Sequence, residues 1–311
     1  MQGPAVHQTP LPHDDRGHWI WLIAGTGEGP PLAARLLERG WAVRVSVVSA
    51  AAGLAYPAHP RLMVAVGAIG YGNGNRNAGA DGGESAAAVL TELRSAAAAG
   101  QPCRWVIDAS HPFALRISAG VAEACRLQGQ TVLRLQRPHP AGDAARILAD
   151  LPALAQEPLA GRRLLLAIGA RRLAEAIDHC PGAVAHARLL PSPAALRQAM
   201  AAGLPAERVA CLRPQADAAA AATIEAALCR RWRIEVVLCR RSGGPSESHW
   251  RRICHDQGLR LLLLERPPEI AEVPALPLEA LLAHIGDPPP PAGPGAMPTS
   301  RSAALPAPCH G

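Results

Sequence analysis

Residues 18–50 read HWIWLIAGTGEGPPLAARLLERGWAVRVSVVSA, and this stretch decides the fold. HWIWLIAG (18–25) is an apolar run that predicts a strand buried on both faces, as strands of parallel sheets are. Residues 30–40, PPLAARLLERG, predict a helix that ends at Gly40, and Pro30 suits its first position. WAVRVSVVSA (41–50) predicts a second strand. A strand, a glycine turn, a helix and a second strand make one β-α-β unit, the repeating element of a parallel, doubly wound sheet.

The same rhythm continues outward. Strands are predicted at 61–67, 103–110 and 131–138, with helices at 84–100 and 114–129 between them. The pattern then restarts, with strands at 162–169, 183–191, 208–214, 233–244 and 259–267. Helices are predicted at 170–179, 193–203, 216–231 and 246–258. The expected architecture is α/β: two Rossmann-like open parallel-sheet domains with a cleft between them. An N-terminal domain is expected over 18–138 and a C-terminal domain over 139–286. Residues 1–17 and the proline-rich 287–311 read as disordered tails. The glycine- and asparagine-rich 67–84 lacks the residues of a phosphate loop and reads as an inserted surface segment.

Composition narrows the chemistry. Of 311 residues, 49% are apolar and only 3% aromatic, so the core must come from Ala, Leu and Val. The chain has 31 basic and 25 acidic residues, for a net charge of +6, and it contains no lysine. Schiff-base chemistry, a Walker A lysine and a Tyr-Lys dehydrogenase dyad are thereby excluded. The basic residues, all Arg, hold their charge at any working pH and suit carboxylates and phosphates. The eight cysteines are never closer than ten positions, which gives no zinc spacing, and no metal is expected. They read as reduced, buried thiols. The N-terminal residues lack the apolar run of a signal peptide, and no stretch approaches the roughly 18 apolar residues of a membrane span. A cytoplasmic protein without membrane contact is expected. Sparse aromatics and dispersed arginines argue against nucleic acid as a partner.

The first turn, Gly25-Thr26-Gly27-Glu28-Gly29, lies where a nucleotide phosphate meets a helix start. The G-x-G-x-x-G spacing fails because Pro30 replaces the third glycine; a plain β-α turn is the other reading. A dinucleotide site with free ribose hydroxyls expects an acid after the second strand, yet none occurs between Glu38 and Asp81. Arg44, Ser46 and Ser49 stand there instead, which favours a 2′-phosphate and hence NADPH. The other distinctive block is Asp108-Ala109-Ser110-His111-Pro112-Phe113-Ala114, with the chain's only Phe. Asp108 closes a predicted parallel strand, and Ser110 can cap the helix that follows. The block reads either as a capped turn or as a loop that touches nicotinamide or substrate.

With Leu133-Arg134-Leu135 and Arg137-Pro138 behind it, this block resembles the precorrin-6A reductase family of cobalamin biosynthesis. Gly25, Thr26 and Glu28 fit the family's opening turn. Arg188-Leu189-Leu190-Pro191, Ser242-Gly243-Gly244 and Arg266-Pro267-Pro268 fit later stretches, so the resemblance spans about 19–286. Two positions depart from it. Arg240-Arg241 stand where the family usually has Lys-Asn, and Ala167-Ile168-Gly169 replaces a T-x-G turn. The resemblance implies NADPH-dependent reduction of one carbon–carbon double bond in precorrin-6A or cobalt-precorrin-6A. It implies Gly25, Thr26, Gly27, Glu28, Ser49 and Ser110 as cofactor contacts. His111 and Asp108 become catalytic candidates, with His111 a proton donor, an orienting group or only a shaper of its turn. Arg116, Arg137, Arg188, Arg240, Arg241, Ser242 and Gly243 become contacts for the substrate's carboxylate arms, each Arg being otherwise a solvated surface residue. The competing reading is a non-catalytic tetrapyrrole- or nucleotide-binding protein of the same fold.

Overall fold

β1 (Trp19–Ala24) is buried at every position, which its unbroken apolar sequence requires of a central strand. In this computed structural model the described residues are 19–289 apart from 26, 68, 70–81, 140–144 and 213–217. The expected N-terminal tail, all but residues 287–289 of the expected C-terminal tail and most of the glycine-rich insertion therefore lie outside the described residues. After β1 come α1 (Gly29–Glu38), β2 (Ala42–Val47), α2 (Ala50–Gly53), β3 (Leu62–Val66) and α3 (Gly82–Ala98), then β4 (Trp105–Ala109), α4 (Leu115–Gln128) and β5 (Val132–Leu135). The second half begins with β6 (Arg146–Leu148) and continues through β7 (Arg163–Ala167), α5 (Leu173–Asp178), β8 (Val184–Leu189), α6 (Pro193–Ala201) and β9 (Val209–Cys211). It closes with α7 (Ala218–Trp232), β10 (Val236–Arg240), α8 (Pro245–Gln257), β11 (Arg260–Leu264), β12 (Ala275–Leu276) and α9 (Leu278–Ile285).

The strands form two six-stranded sheets, ordered β12-β5-β4-β1-β2-β3 and β6-β11-β10-β7-β8-β9. Every pairing between described strands is parallel. β1 lies between β2 (Ile23↔Ser46) and β4 (Ile23↔Asp108), so the strand order reverses beside its carboxyl end. α/β sheets bind ligands at such a point. One face of the first sheet packs on α1, whose Leu32, Ala33, Leu36 and Leu37 follow helical spacing. The other face packs on α3 and α4 through Val89, Leu93, Val121, Ala124 and Cys125. Each large apolar side chain buried there contributes on the order of 1.5–3 kcal/mol. Two Rossmann-like α/β layers result, as the sequence predicts.

The sixth strand of each sheet comes from an unexpected place. β12 pairs with β5 (Ala275↔Arg134, Leu276↔Leu135), and β6 pairs with β11. Leu281, Leu282 and Ile285 of α9 join the core of the first sheet beside Leu36 and Trp41. Arg35 pairs with Glu279 at 3.1 Å, and Trp41 Nε1 donates to the Gly286 carbonyl at 2.9 Å. The expected C-terminal domain of 139–286 therefore needs correction: residues 275–285 belong with the first sheet. They fasten there because α9 buries an apolar stripe that α1 leaves uncovered.

Candidate functional site at the facing sheet edges

The two sheets turn their carboxyl edges toward each other, and the residues that end the strands make the contact. At the end of β1, a Cβ on Gly25 or Gly27 would meet nothing within 4 Å, so the backbone there borders open space. Gly29 is crowded: a Cβ would collide with the Tyr56 hydroxyl and stand 2.8 Å from Ala24 Cβ. The close-packing glycine that the sequence pattern lacks at position 30 is thus Gly29. Pro30 and Pro31 remove two N–H groups from the first turn of α1. A phosphate at this turn is left with the backbone donors that precede Pro30. Open space over small residues beside a helix start fits a dinucleotide's pyrophosphate. Thr26 lies outside the described residues.

The expected contacts along β2 turn out differently. Arg44 pairs with Glu92 at 2.7 Å and lies over the Trp21 ring. Ser46 is buried and accepts from Trp21 Nε1 at 2.9 Å. Ser49 caps α2, accepting from the Ala52 N–H at 3.2 Å. Neither Arg44 nor Ser46 is free for a 2′-phosphate, because strand alternation sends both side chains into the packed face.

The Asp108–Phe113 block is braced from beneath. Asp108 is 3% exposed. Its Oδ1 accepts from the Ser110 N–H at 2.9 Å, and its Oδ2 is paired with Arg134. Arg134 also donates to Ser118 Oγ at 2.6 Å and pairs with Glu269. Both oxygens of Asp108 are thus occupied by groups of the protein. The Ser110 hydroxyl meets Ser118 Oγ at 3.1 Å, and α4 starts without a side-chain cap, so the expected capping by Ser110 is corrected. The hydroxyl turns inward to Ser118, one helical turn into α4, whose Oγ also accepts from Arg134.

His111 stands above this brace. Its Nδ1 accepts from the Phe113 N–H at 3.2 Å, which leaves the proton of the neutral ring on Nε2. Burial, then the charges of Arg240, Arg137, Arg134 and Arg266, push its pKa from 6.5 to about 3. The ring is therefore neutral at working pH: it can donate a hydrogen bond from Nε2 but is no imidazolium acid. The unfolded chain takes up a proton near pH 6.5 and the folded one only near pH 3. Between those values the unfolded state binds more protons, so this group's contribution to stability falls as pH drops through the window. His111→Asn is expected to remove that slope, at most about 1.4 kcal/mol per pH unit. Denaturant unfolding of both proteins at pH 7 and pH 5 measures it; a stability gap that does not change between the two would contradict a neutral His111.

Phe113 crosses to the other layer and packs against the core of the second sheet, with the Arg240 guanidinium 5.3 Å from its ring centroid. Nearby, Arg266 donates to the carbonyls of Arg137 (3.1 Å) and Pro138 (2.9 Å). Gly243 has φ +69, and a Cβ there would run into the Pro138 carbonyl. A Cβ on Gly244 would run into the Glu28 carboxylate. The Ser242-Gly243-Gly244 turn is thus small because it is pressed against the first layer. Glu247, which sequence reading missed, holds this turn by accepting from the Gly243 N–H at 2.7 Å. The signal was Glu at the third position of a helix that starts at Pro245 after Gly244, the spacing of a capping box.

The candidate arginines divide by partner. Arg137 is buried, pairs with Glu28 at 3.2 Å and donates to the Ser110 carbonyl at 3.1 Å. Arg241 pairs with Glu265 at 2.6 Å. Arg188 pairs with buried Glu225, which also faces His249. Burial opposes that carboxylate's charge, yet His249 and Arg188 hold it below its ordinary pKa. These three are each paired with an acid of the protein. Their partners lie far away in sequence and could not be read from it. Arg116 is exposed at the start of α4 and makes no ion pair among the described residues. Arg240 has no carboxylate partner among them either. Ser242 is buried. The described residues hold no cluster of three potential metal ligands.

Two parallel α/β layers joined at their carboxyl edges around a glycine turn define a two-layer Rossmann-like protein, and comparison with known proteins makes the class specific. The family model described as precorrin-6x reductase CbiJ/CobK matches residues 19–285. A cobalt-precorrin-6A reductase of Synechocystis sp. is 32% identical over 257 residues, 81% of this chain and 89% of that protein. A precorrin-6A reductase of Rhodococcus erythropolis is 30% identical over 259 residues, 80% of this chain and 89% of that protein. The solved structure of a CobK precorrin-6A reductase shares the fold with a TM-score of 0.63 at 24% identity, covering 88% of this chain and 99% of that one. The chain belongs to the precorrin-6x reductase family.

Proposed function

We propose that this protein uses NADPH to reduce a ring carbon–carbon double bond of precorrin-6A or cobalt-precorrin-6A in cobalamin biosynthesis. The observation that carries this reading is the pair of parallel sheets facing each other edge to edge, with open backbone at Gly25 and Gly27 on one side. The nicotinamide supplies the hydride when bound. The chain's own groups bind, orient and exclude water. Gly25, Gly27 and Gly29 let a pyrophosphate approach the backbone. His111, neutral and held above the Asp108–Arg134 brace, offers its Nε2–H as a hydrogen-bond donor. Arg116 and Arg240 supply positive charge for acidic groups. NADPH is preferred over NADH because residues 39–80 carry no acid to grip a free ribose or repel a 2′-phosphate. A cytoplasmic setting suits the free thiols, six of the seven described being buried. Among the described residues no helix is long and apolar enough to cross a membrane.

The test is to mix the protein with precorrin-6A, or its cobalt form, and follow the loss of NADPH absorbance. Consumption of NADPH with one of the two rings is expected, and several-fold slower turnover with NADH. No consumption with either ring would sink the reading. His111→Ala is expected to lower kcat/KM about tenfold or more, the size of a lost hydrogen bond to a charge-bearing group. Its melting temperature at pH 7 should change little.

A further inference from the structure

We propose that the Gly169–Arg172 turn and Arg240 form an oxyanion subsite on the second sheet, one that takes a carboxylate or phosphate group of a bound ligand. The inference rests on the reading of the facing edges as the cofactor and substrate site. Arg240 closes β10, and one end of its guanidinium is hydrogen-bonded to the Ile168 carbonyl. Its Nε is buried without a hydrogen-bond partner. Burial, then the charges of Arg172 and Arg171, lower its pKa to about 10, so it stays charged at neutral pH. Arg134, Arg137, Arg188 and Arg241 each face a carboxylate. Arg240 instead faces two more cations. A half-buried cation among cations destabilises a protein unless something negative completes the group.

The surroundings are built for that guanidinium. Gly169 has φ +84, and a Cβ there would stand 2.8 Å from Arg240 Nη2, so only glycine leaves it room. The Phe113 ring supports the opposite side. Arg172 is turned aside by Glu175 at 2.8 Å, while Arg171 is exposed and makes no ion pair among the described residues. The group is thus one guanidinium fixed by the Ile168 carbonyl and the Phe113 ring, with one exposed cation at its rim, an arrangement suited to an oxyanion.

The test compares wild type with Arg240→Met in the full-length protein, by melting without ligand and by separate titrations with NADP+ and with uroporphyrin, a polycarboxylate tetrapyrrole. Removing an unpaired cation is expected to leave the melting temperature unchanged or raise it. Affinity for one of the two probes should fall at least about tenfold. Weakened NADP+ identifies the group as phosphate, and weakened uroporphyrin as carboxylate. Unchanged affinity for both probes overturns the proposal, whatever the melting temperature does. Should Arg240→Met fail to fold, Arg171→Gln at the exposed rim decides. A two- to threefold weakening of one probe at low ionic strength supports the subsite, and none overturns it. These titrations need no turnover, so a failed reductase assay leaves them informative.

Discussion

Replacing Arg134 by methionine is expected to cost roughly 3–5 kcal/mol of stability, the penalty for stranding a buried charge. Arg134 is 4% exposed and touches Asp108, Ser118 and Glu269. Without it, Asp108 keeps only the Ser110 N–H as a protein partner, at a position 3% exposed. The double variant Asp108→Asn with Arg134→Met should recover much of the loss, since an amide needs no counter-charge. Denaturant unfolding of the two single variants and the double gives their coupling energy. A cost below about 1 kcal/mol for Arg134→Met would show that the pair is not the brace described. Because the same pair fixes the turn carrying His111, turnover should fall with stability in both single variants.

Gly243→Ala is expected to lower kcat/KM about a hundredfold, the scale of a displacement near 1 Å in a reacting geometry. Two effects combine. The left-handed backbone at φ +69 costs any other residue about 1 kcal/mol. The new Cβ also meets the Pro138 carbonyl, a backbone atom that cannot swing aside, so the turn must lift from the first layer. Gly244→Ala is the control. Its obstacle is the Glu28 side chain, which can rotate, so a loss below tenfold is expected. Equal losses in the two variants would argue against a rigid contact at Pro138.

The strands β1, β4, β7 and β10 were legible because continuous apolar runs such as WIWLIA have few other homes in a protein of this size. β6 and β12 were not. Three and two residues carry no periodicity, and their pairing depends on partners more than a hundred positions away. The arginines show the same limit from another side. Arg188 and Arg240 look alike in sequence, and only the fold reveals that the first is answered by Glu225 and the second by no acid. The Asp108–Phe113 block stood out from its residues alone, yet the inward turn of Ser110 depended on Ser118. Glu247 left a signal in its capping position. The close-packing role of Gly29 followed from Tyr56, which no pattern pointed to.

The return of β12 and α9 to the first sheet bears on how the molecule comes into being. On a ribosome, residues 19–138 emerge well before the segment that covers Leu36 and Trp41. Until that segment arrives, β5 presents a bare strand edge and α1 a sticky flank, both open to other nascent chains. The first layer of this protein must wait for a segment made well after its own strands, so its maturation is set by translation of residues 275–285 as well as of its own portion.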